Sequence, residues 1–219
     1  MTGLSDPVAM SLPEANQWVL REGGDLLQFA WVEAGAAALI DLALAGRITT
    51  LHNRGFFDQE DQRRVLVTDR TPLGVPELDR ALELLSAQSR PRRIKKWIWQ
   101  IGREVSDIVR AEMVDAGLAE EVGQKFPSSQ GNLRVLDDSR QRMAVDMLNQ
   151  ADLAPTAVTD PRAGALVDLL RNGGPAFRSD RERPLTTNIV HEWYPPETRP
   201  TIDGVLYALQ VRTASGGIY

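Results

Sequence analysis

Residues 29 to 46 read FAWVEAGAAALIDLALAG. Apolar side chains fall almost all the way round a helical wheel, and a helix without a polar face has to be surrounded by other protein. Ala36, Ala37, Ala38, Ala43 and Ala45 leave room for neighbouring helices to approach closely. The stretch therefore predicts a central buried helix, ended by Gly46, and a mainly helical fold assembled around it.

The flanking sequence supplies the helices to surround it. SLPEANQWVLRE, residues 11 to 22, has Ser11 as N-cap, Glu14 at capping-box spacing and Pro13 in the first turn, with Gly23-Gly24 as its stop. PELDRALELLSAQ places Leu78, Leu82 and Leu85 on one stripe. A long helix crosses residues 90 to 103 and continues through EVSDIVRAEMVDAGL to a stop near Gly117. SRQRMAVDMLNQ and PRAGALVDLLRNGG predict two more helices. ITTLHNRGFFDQEDQRRVLVTD predicts a small hairpin with an Asn-Arg-Gly turn, and KFPSSQGNLRVLDD a second around Ser-Gln-Gly-Asn. After Gly173-Gly174 the Pro-, Arg- and Thr-rich FRSDRERPLTTNIVHEWYPPETRP reads as a long surface segment leading to a short last helix near Ile202 to Val211. The expected organisation is an N-terminal tail over residues 1 to 7, one helical domain over 8 to 175, and a divergent C-terminal segment, 176 to 219, packed on that domain.

A chain of 219 residues with 42% hydrophobic residues can bury a real core. It contains no cysteine, which removes disulfides, thiolate metal sites and thiol catalysis and fits a reducing cytoplasm. The first residues carry neither a basic nor an apolar leader, and no uncharged apolar run reaches the ~18 residues of a membrane span. The expectation is a soluble or peripheral protein.

Charge is distributed unevenly. The net charge is −5, yet RPRRIKKWIWQIGR, residues 90 to 103, holds six basic side chains, two tryptophans and no acid. On a wheel Ile94, Trp97, Ile98, Ile101, Val105, Ile108 and Val109 fall in one arc of about 120°, the width of a core-facing stripe. Arg92, Lys96, Trp99, Arg103 and Arg110 gather on the other side. A solvated charged face with Trp99 under a neighbouring element is one reading. The other is a site for an anionic surface, with a tryptophan at headgroup depth among cations that attract phosphate. Nucleic acid is not expected, because both flanks are acidic and no helix-turn-helix, zinc or RNA-binding signature occurs.

Three segments in order resemble the Golgi phosphoprotein 3 (GPP34-like) family in its bacterial, actinomycete-type form: ALIDLALAGRI (38 to 48), PELDRALELL (76 to 85), and KKWIWQI followed by VRAEMVDAGL (109 to 118). The resemblance spans roughly residues 8 to 175. It implies a mainly helical domain with peripheral amphipathic helices and a hairpin, which attaches to membranes by binding phosphatidylinositol 4-phosphate through a tryptophan and several arginines. An ungapped count places the family's helix arginine at Gly35 and its loop tryptophan at Leu26, with Trp31 close by. Its two arginines spaced three apart fall on Arg103 and Ser106. The segment RPLTTNIVHEWYPPETRP lacks the run of helix expected of the family.

The resulting expectation is a cytoplasmic protein, peripheral at the inner face of the membrane, that binds anionic lipid through Trp31, Arg92, Arg93, Lys96, Trp99 and Arg103. It has no cofactor and no metal, and a hairpin offers a route to self-association. The alternative is an enzyme or small-molecule-binding protein of a bacterial pathway. His52 and His191 are lone histidines, and no P-loop, dinucleotide turn or G-x-S-x-G motif occurs. An active site would draw on His191, Glu192, Trp193 and Tyr194 in a pocket involving the C-terminal segment.

Overall fold

In a computed structural model of the chain, the described residues are 10–22, 25–26, 31–51, 63–122, 132–173 and 191–214. Helix α2, Trp31–Leu44, is buried on every side, from Val32 through Ala43. Around it pack α1 (Leu12–Val19), α3 (Pro76–Ser86), α4 (Ile94–Asp115), α6 (Pro161–Asn172) and α7 (Arg199–Ala214), while α5 (Ser139–Leu153) lies outside, against α1 and α6. The apolar sequence of α2 thus finds the enclosure it requires.

The tightest of these contacts is between α2 and α4. A Cβ built on Gly35 would lie 2.3 Å from the carbonyl oxygen of Ile98 and 3.0 Å from Cα of Gly102. One built on Gly102 would lie 2.0 Å from the carbonyl oxygen of Trp31. The two helices therefore cross backbone against backbone, at a point where neither chain has a side chain to spare. The core stripe of α4 behaves as its spacing predicts: Ile94, Trp97, Ile98, Ile101, Val105 and Val109 are buried, and only Ile108 is partly exposed. Gly46 (φ +70°) and Gly117 (φ +68°) turn the chain out of α2 and α4 in the left-handed conformation that a glycine adopts without steric cost.

Both expected hairpins are parts of larger sheets. Strands β3 (Ile48–Leu51) and β4 (Arg64–Val67) pair antiparallel, and β5, only Arg92–Arg93, adds to β4. Arg92 is therefore in a strand and not on the helix, which begins at Ile94. In the second sheet the order is β1 (Arg21–Glu22), β2 (Asp25–Leu26), β7 (Asn132–Val135), β6 (Ala119–Val122). Its hairpin starts at Ala119 rather than within KFP. The Ser-Gln-Gly segment expected at its turn, like the Asn-Arg-Gly turn of the first hairpin, lies outside the described residues.

Two helix boundaries also differ from expectation. Ser11 caps α1 as predicted, accepting from the Glu14 N–H, but the helix ends at Val19 and Arg21–Glu22 is a strand. Gly23-Gly24 lies outside the described residues. At the other end, the chain after residue 190 is only in part a surface segment, with Glu192, Pro196, Glu197 and Pro200 exposed. Trp193 and Tyr194 are buried, with the Trp193 ring seated directly on Gly164, and α7 is longer than the stretch 202 to 211.

Buried polar groups tie the outer helices down. Asp41, on the enclosed α2, accepts from the Leu12 N–H at 2.7 Å and from Arg162 Nε at 2.5 Å, so one carboxylate holds the starts of α1 and α6. The Tyr194 hydroxyl donates to Asp168 Oδ2 at 2.7 Å and Trp193 Nε1–H donates to the Pro155 carbonyl at 2.8 Å.

The crossing makes a direct prediction. Gly102→Ala gains roughly 1 kcal/mol of helix propensity but drives a methyl group into a backbone carbonyl that moves only with its helix. Tm should fall, by roughly 2 to 4 °C for each kcal/mol lost in a chain of this size. A Tm equal to or above the parent's in thermal denaturation would show that the helices are not in backbone contact.

Candidate functional site

Trp31 is the first residue of α2, one turn before Gly35, and Trp99 stands three residues before Gly102 on α4. The glycine crossing brings the two rings together edge to face, with centroids 4.5 Å apart and planes at 68°. Such pairs are worth about 0.5–1.5 kcal/mol beyond the area they bury. Trp99 is half-buried, as is Trp31, so the pair closes the end of the α2–α4 contact and keeps part of its surface in solvent.

Lys96 and Arg103 lie on the same face of α4, one turn before and one turn after Trp99, and both are exposed. All six basic residues of the segment 90 to 103, Arg90, Arg92, Arg93, Lys95, Lys96 and Arg103, are exposed. The β4–β5 register sets Arg64 directly opposite Arg93, and like charges facing each other across strands are destabilising. Cations are thus concentrated here against their mutual repulsion, in a chain that is acidic overall.

The structure sorts the expected residues. Trp31, Lys96, Trp99 and Arg103 share one surface. Arg93 is exposed at the sheet edge. Arg92 turns elsewhere: its guanidinium sits 5.9 Å from the centre of the Trp97 ring and its Nη1 donates to Gln100 Oε1 at 3.3 Å. Arg110 does not belong to the exposed face. It is buried where β6 covers the C-terminal half of α4, with Glu121 at 4.0 Å, and desolvation pulls it below the usual arginine range. A helical wheel shows which residues share a direction but not where along that direction another element lies.

The positions counted from the family's arginines divide in the same way. Arg103 is on the surface, Ser106 is buried, and Gly35 lies at the crossing, where no side chain fits. Of the residues suspected for an active site, Trp193 and Tyr194 are core groups with structural hydrogen bonds, and Glu192 is exposed. Burial and the neighbouring Asp168 push the Tyr194 hydroxyl well above its ordinary range, so it serves as a donor to that carboxylate. His52, and the side chain of His191, lie outside the described residues.

A cleft that no local motif announced lies between α1, α3 and α4, with a volume of about 340 Å³. Ser11, Glu14, Glu77, Glu112 and Arg140 line it beside Val109 and Met113. The Ser11 hydroxyl donates to Glu77, and Arg140 pairs with Glu14 at 2.5 Å. Oε2 of Glu77 is buried without a hydrogen-bond partner among the described residues, and the Glu112 charge lies close enough to act on it. Burial raises both above the ordinary carboxyl range, and the Glu14 charge adds to the effect. Partners 66 residues apart, Ser11 and Glu77, leave no spacing to read in the sequence.

Among the described residues no helix is long and apolar enough to cross a membrane, and no group of three or more His, Asp or Glu side chains could hold a metal ion. The described residues form a mainly helical domain with two small antiparallel sheets and a cationic, tryptophan-bearing helix face. A family model for Golgi phosphoprotein 3 (GPP34) matches residues 33–204, and the chain belongs to that family. The match begins later and ends later than the span carried by the three segments, and reaches into α7. No curated protein matches the chain.

The acidic cleft predicts a pH dependence. A carboxyl whose pKa is raised by folding contributes stability that is present below its unfolded pKa and lost as pH rises through the folded one. Glu77→Gln keeps an acceptor for the Ser11 hydroxyl and cannot ionise. As pH rises from 4.5, the ordinary value for Glu, parent Tm should therefore fall more steeply than that of the variant. Parallel Tm-against-pH curves would show that Glu77 ionises without cost in the fold.

Proposed function

We propose that the protein binds anionic membrane lipid peripherally, through the surface formed by Trp31, Lys96, Trp99 and Arg103, with Arg93 and Lys95 beside it. The observation that carries this reading is the Trp31–Trp99 pair, held half-exposed among cations that form no ion pair among the described residues. Indole rings favour the headgroup level of a bilayer, where an apolar ring body and a polar N–H are both accommodated. Each Lys or Arg near an anionic surface adds about 1 kcal/mol, so a handful suffices for reversible attachment. Membership of the Golgi phosphoprotein 3 family supports the same reading.

The finer proposal is a phosphorylated inositol headgroup, with Arg103 as its bidentate partner. A guanidinium donates two parallel hydrogen bonds to a phosphate, whereas an ammonium acts as a point charge. Because Gly35 and Ser106 present no cation, Lys96 supplies the second charge from the preceding turn of α4.

Cosedimentation with vesicles tests both levels. Binding to phosphatidylglycerol vesicles should weaken with added salt, and binding to neutral vesicles should be negligible, since exposed charges are screened over ~10 Å at moderate ionic strength. Trp99→Ala and Arg103→Glu should each reduce binding to anionic vesicles, with Tm recorded to separate loss of binding from loss of fold. Arg103→Lys should weaken binding to vesicles containing phosphatidylinositol 4-phosphate and leave phosphatidylglycerol binding nearly unchanged. Equal binding to neutral and anionic vesicles overturns the electrostatic reading, and an Arg103→Lys variant that matches the parent on both lipids overturns the headgroup assignment.

A further inference from the structure

Trp97 and Trp99 are two residues apart on a helix and so point about 200° away from each other. On the Trp97 side lies a cleft of about 170 Å³, between β4, the turn after α3 and the start of α4. Its polar lining among the described residues is Arg70, Ser86, Gln88, Ser89 and Arg90, with no carboxylate among them. This is the opposite of the cleft beside Glu77, which holds three glutamates.

Trp97 is 2% exposed, and its Nε1–H is buried without a hydrogen-bond acceptor among the described residues. Buried polar groups in folded proteins nearly always find partners, and an unmatched donor is costly. Arg70 and Arg90 are exposed and take part in no ion pair among the described residues, whereas Arg47, Arg80, Arg140 and Arg162 each hold a carboxylate. Arg92 brings a further guanidinium to the Trp97 ring. One feature opposes an anion: α3 ends here, and the carbonyl end of a helix carries about half a negative charge. The full charges of Arg70 and Arg90 outweigh it.

We propose that this cleft binds a phosphate monoester. The guanidinium groups of Arg70 and Arg90 take the phosphate oxygens, the Ser86 and Ser89 hydroxyls add donors, and the Trp97 N–H gains the acceptor it lacks. Phosphate fits better than carboxylate because donors converge from several directions, and a monoester presents three terminal oxygens where a carboxylate presents two. The site is separate from the Trp31–Trp99 surface and does not depend on that surface binding lipid.

Calorimetric titration of the full chain with sn-glycerol 3-phosphate, at low salt, tests a soluble source of the ester. Cosedimentation with vesicles containing phosphatidic acid, compared with phosphatidylglycerol, tests a headgroup source. Saturable binding in either arm is expected, weakened at least tenfold in the Arg70→Ala/Arg90→Ala double variant, whose Tm should match the parent's because neither side chain is in an ion pair with a described residue. Trp97→Phe keeps an aromatic, though smaller, side chain and removes the N–H, and should weaken binding several-fold in a variant whose Tm confirms that it is folded. Binding in neither arm, or binding that the double variant retains in full, overturns the proposal. Loss of soluble-ester binding in Trp99→Ala as well would overturn the separation of the two sites.

Discussion

The crossing of α2 and α4 at Gly35 and Gly102 is the contact on which the remaining arrangement depends. A helix that is apolar on all sides could settle among its neighbours in many rotations, because burial by itself has no direction. Two glycines in backbone contact remove that freedom: any rotation of either helix would bring a side chain into a carbonyl group of the other. The same geometry determines what the surface carries. Trp31 and Trp99 meet because each stands about one turn from its glycine, so the aromatic pair follows from the core packing.

The charged groups inside the fold complete what the crossing starts. Asp41 is fully enclosed, and an isolated carboxylate in that position would be prohibitive. Its bonds to the Leu12 N–H and to Arg162 make it tolerable only when α1 and α6 start where they do. Desolvation still leaves its pKa raised, so the pair is better regarded as a constraint on helix placement than as a large source of stability. Asp168 acts similarly on the C-terminal part of the chain, fixing the Tyr194 hydroxyl while Trp193 seats on Gly164. Glycine again appears where a large ring must approach a helix backbone.

The helices and the core stripe of α4 were legible in the sequence because periodicity and caps are local properties. Ser11 as N-cap, the glycine stops at Gly46 and Gly117, and the buried alanines of α2 all follow from residues within a turn or two of each other. The short strands were less legible. Arg92–Arg93 has no strand character of its own and becomes a strand only because β4 is alongside. Arg21–Glu22 is likewise a strand by virtue of its partner, which ended α1 earlier than the Gly-Gly pair suggested. Of the proposed surface, Trp31, Lys96, Trp99 and Arg103 were candidates from the sequence. The ring contact joining two of them spans 68 positions in sequence and depends on a helix crossing that no spacing encodes. Arg110 shows the converse error: its angular position matches the exposed cations, but β6 covers it.

The concentration of basic residues at 90 to 103 has a structural consequence whatever each cation binds. This segment is the only connection between α3 and the helix that carries the central crossing, and it turns from strand to helix between Arg93 and Ile94. The apolar side chains of Ile94, Trp97, Ile98 and Ile101 hold it to the core, so the cations have to occupy the remaining directions. They divide into a group beside Trp99 and a group beside Trp97, separated by the body of α4. A single run of charge in sequence therefore becomes two electropositive surfaces with different chemistry. One carries the Trp31–Trp99 ring pair beside the exposed Lys96 and Arg103. The other is a recess lined by Arg70, Ser86, Gln88, Ser89 and Arg90. Because Trp97 and Trp99 belong to one helix anchored at Gly102, the angle between the two surfaces is set by helix geometry and the crossing.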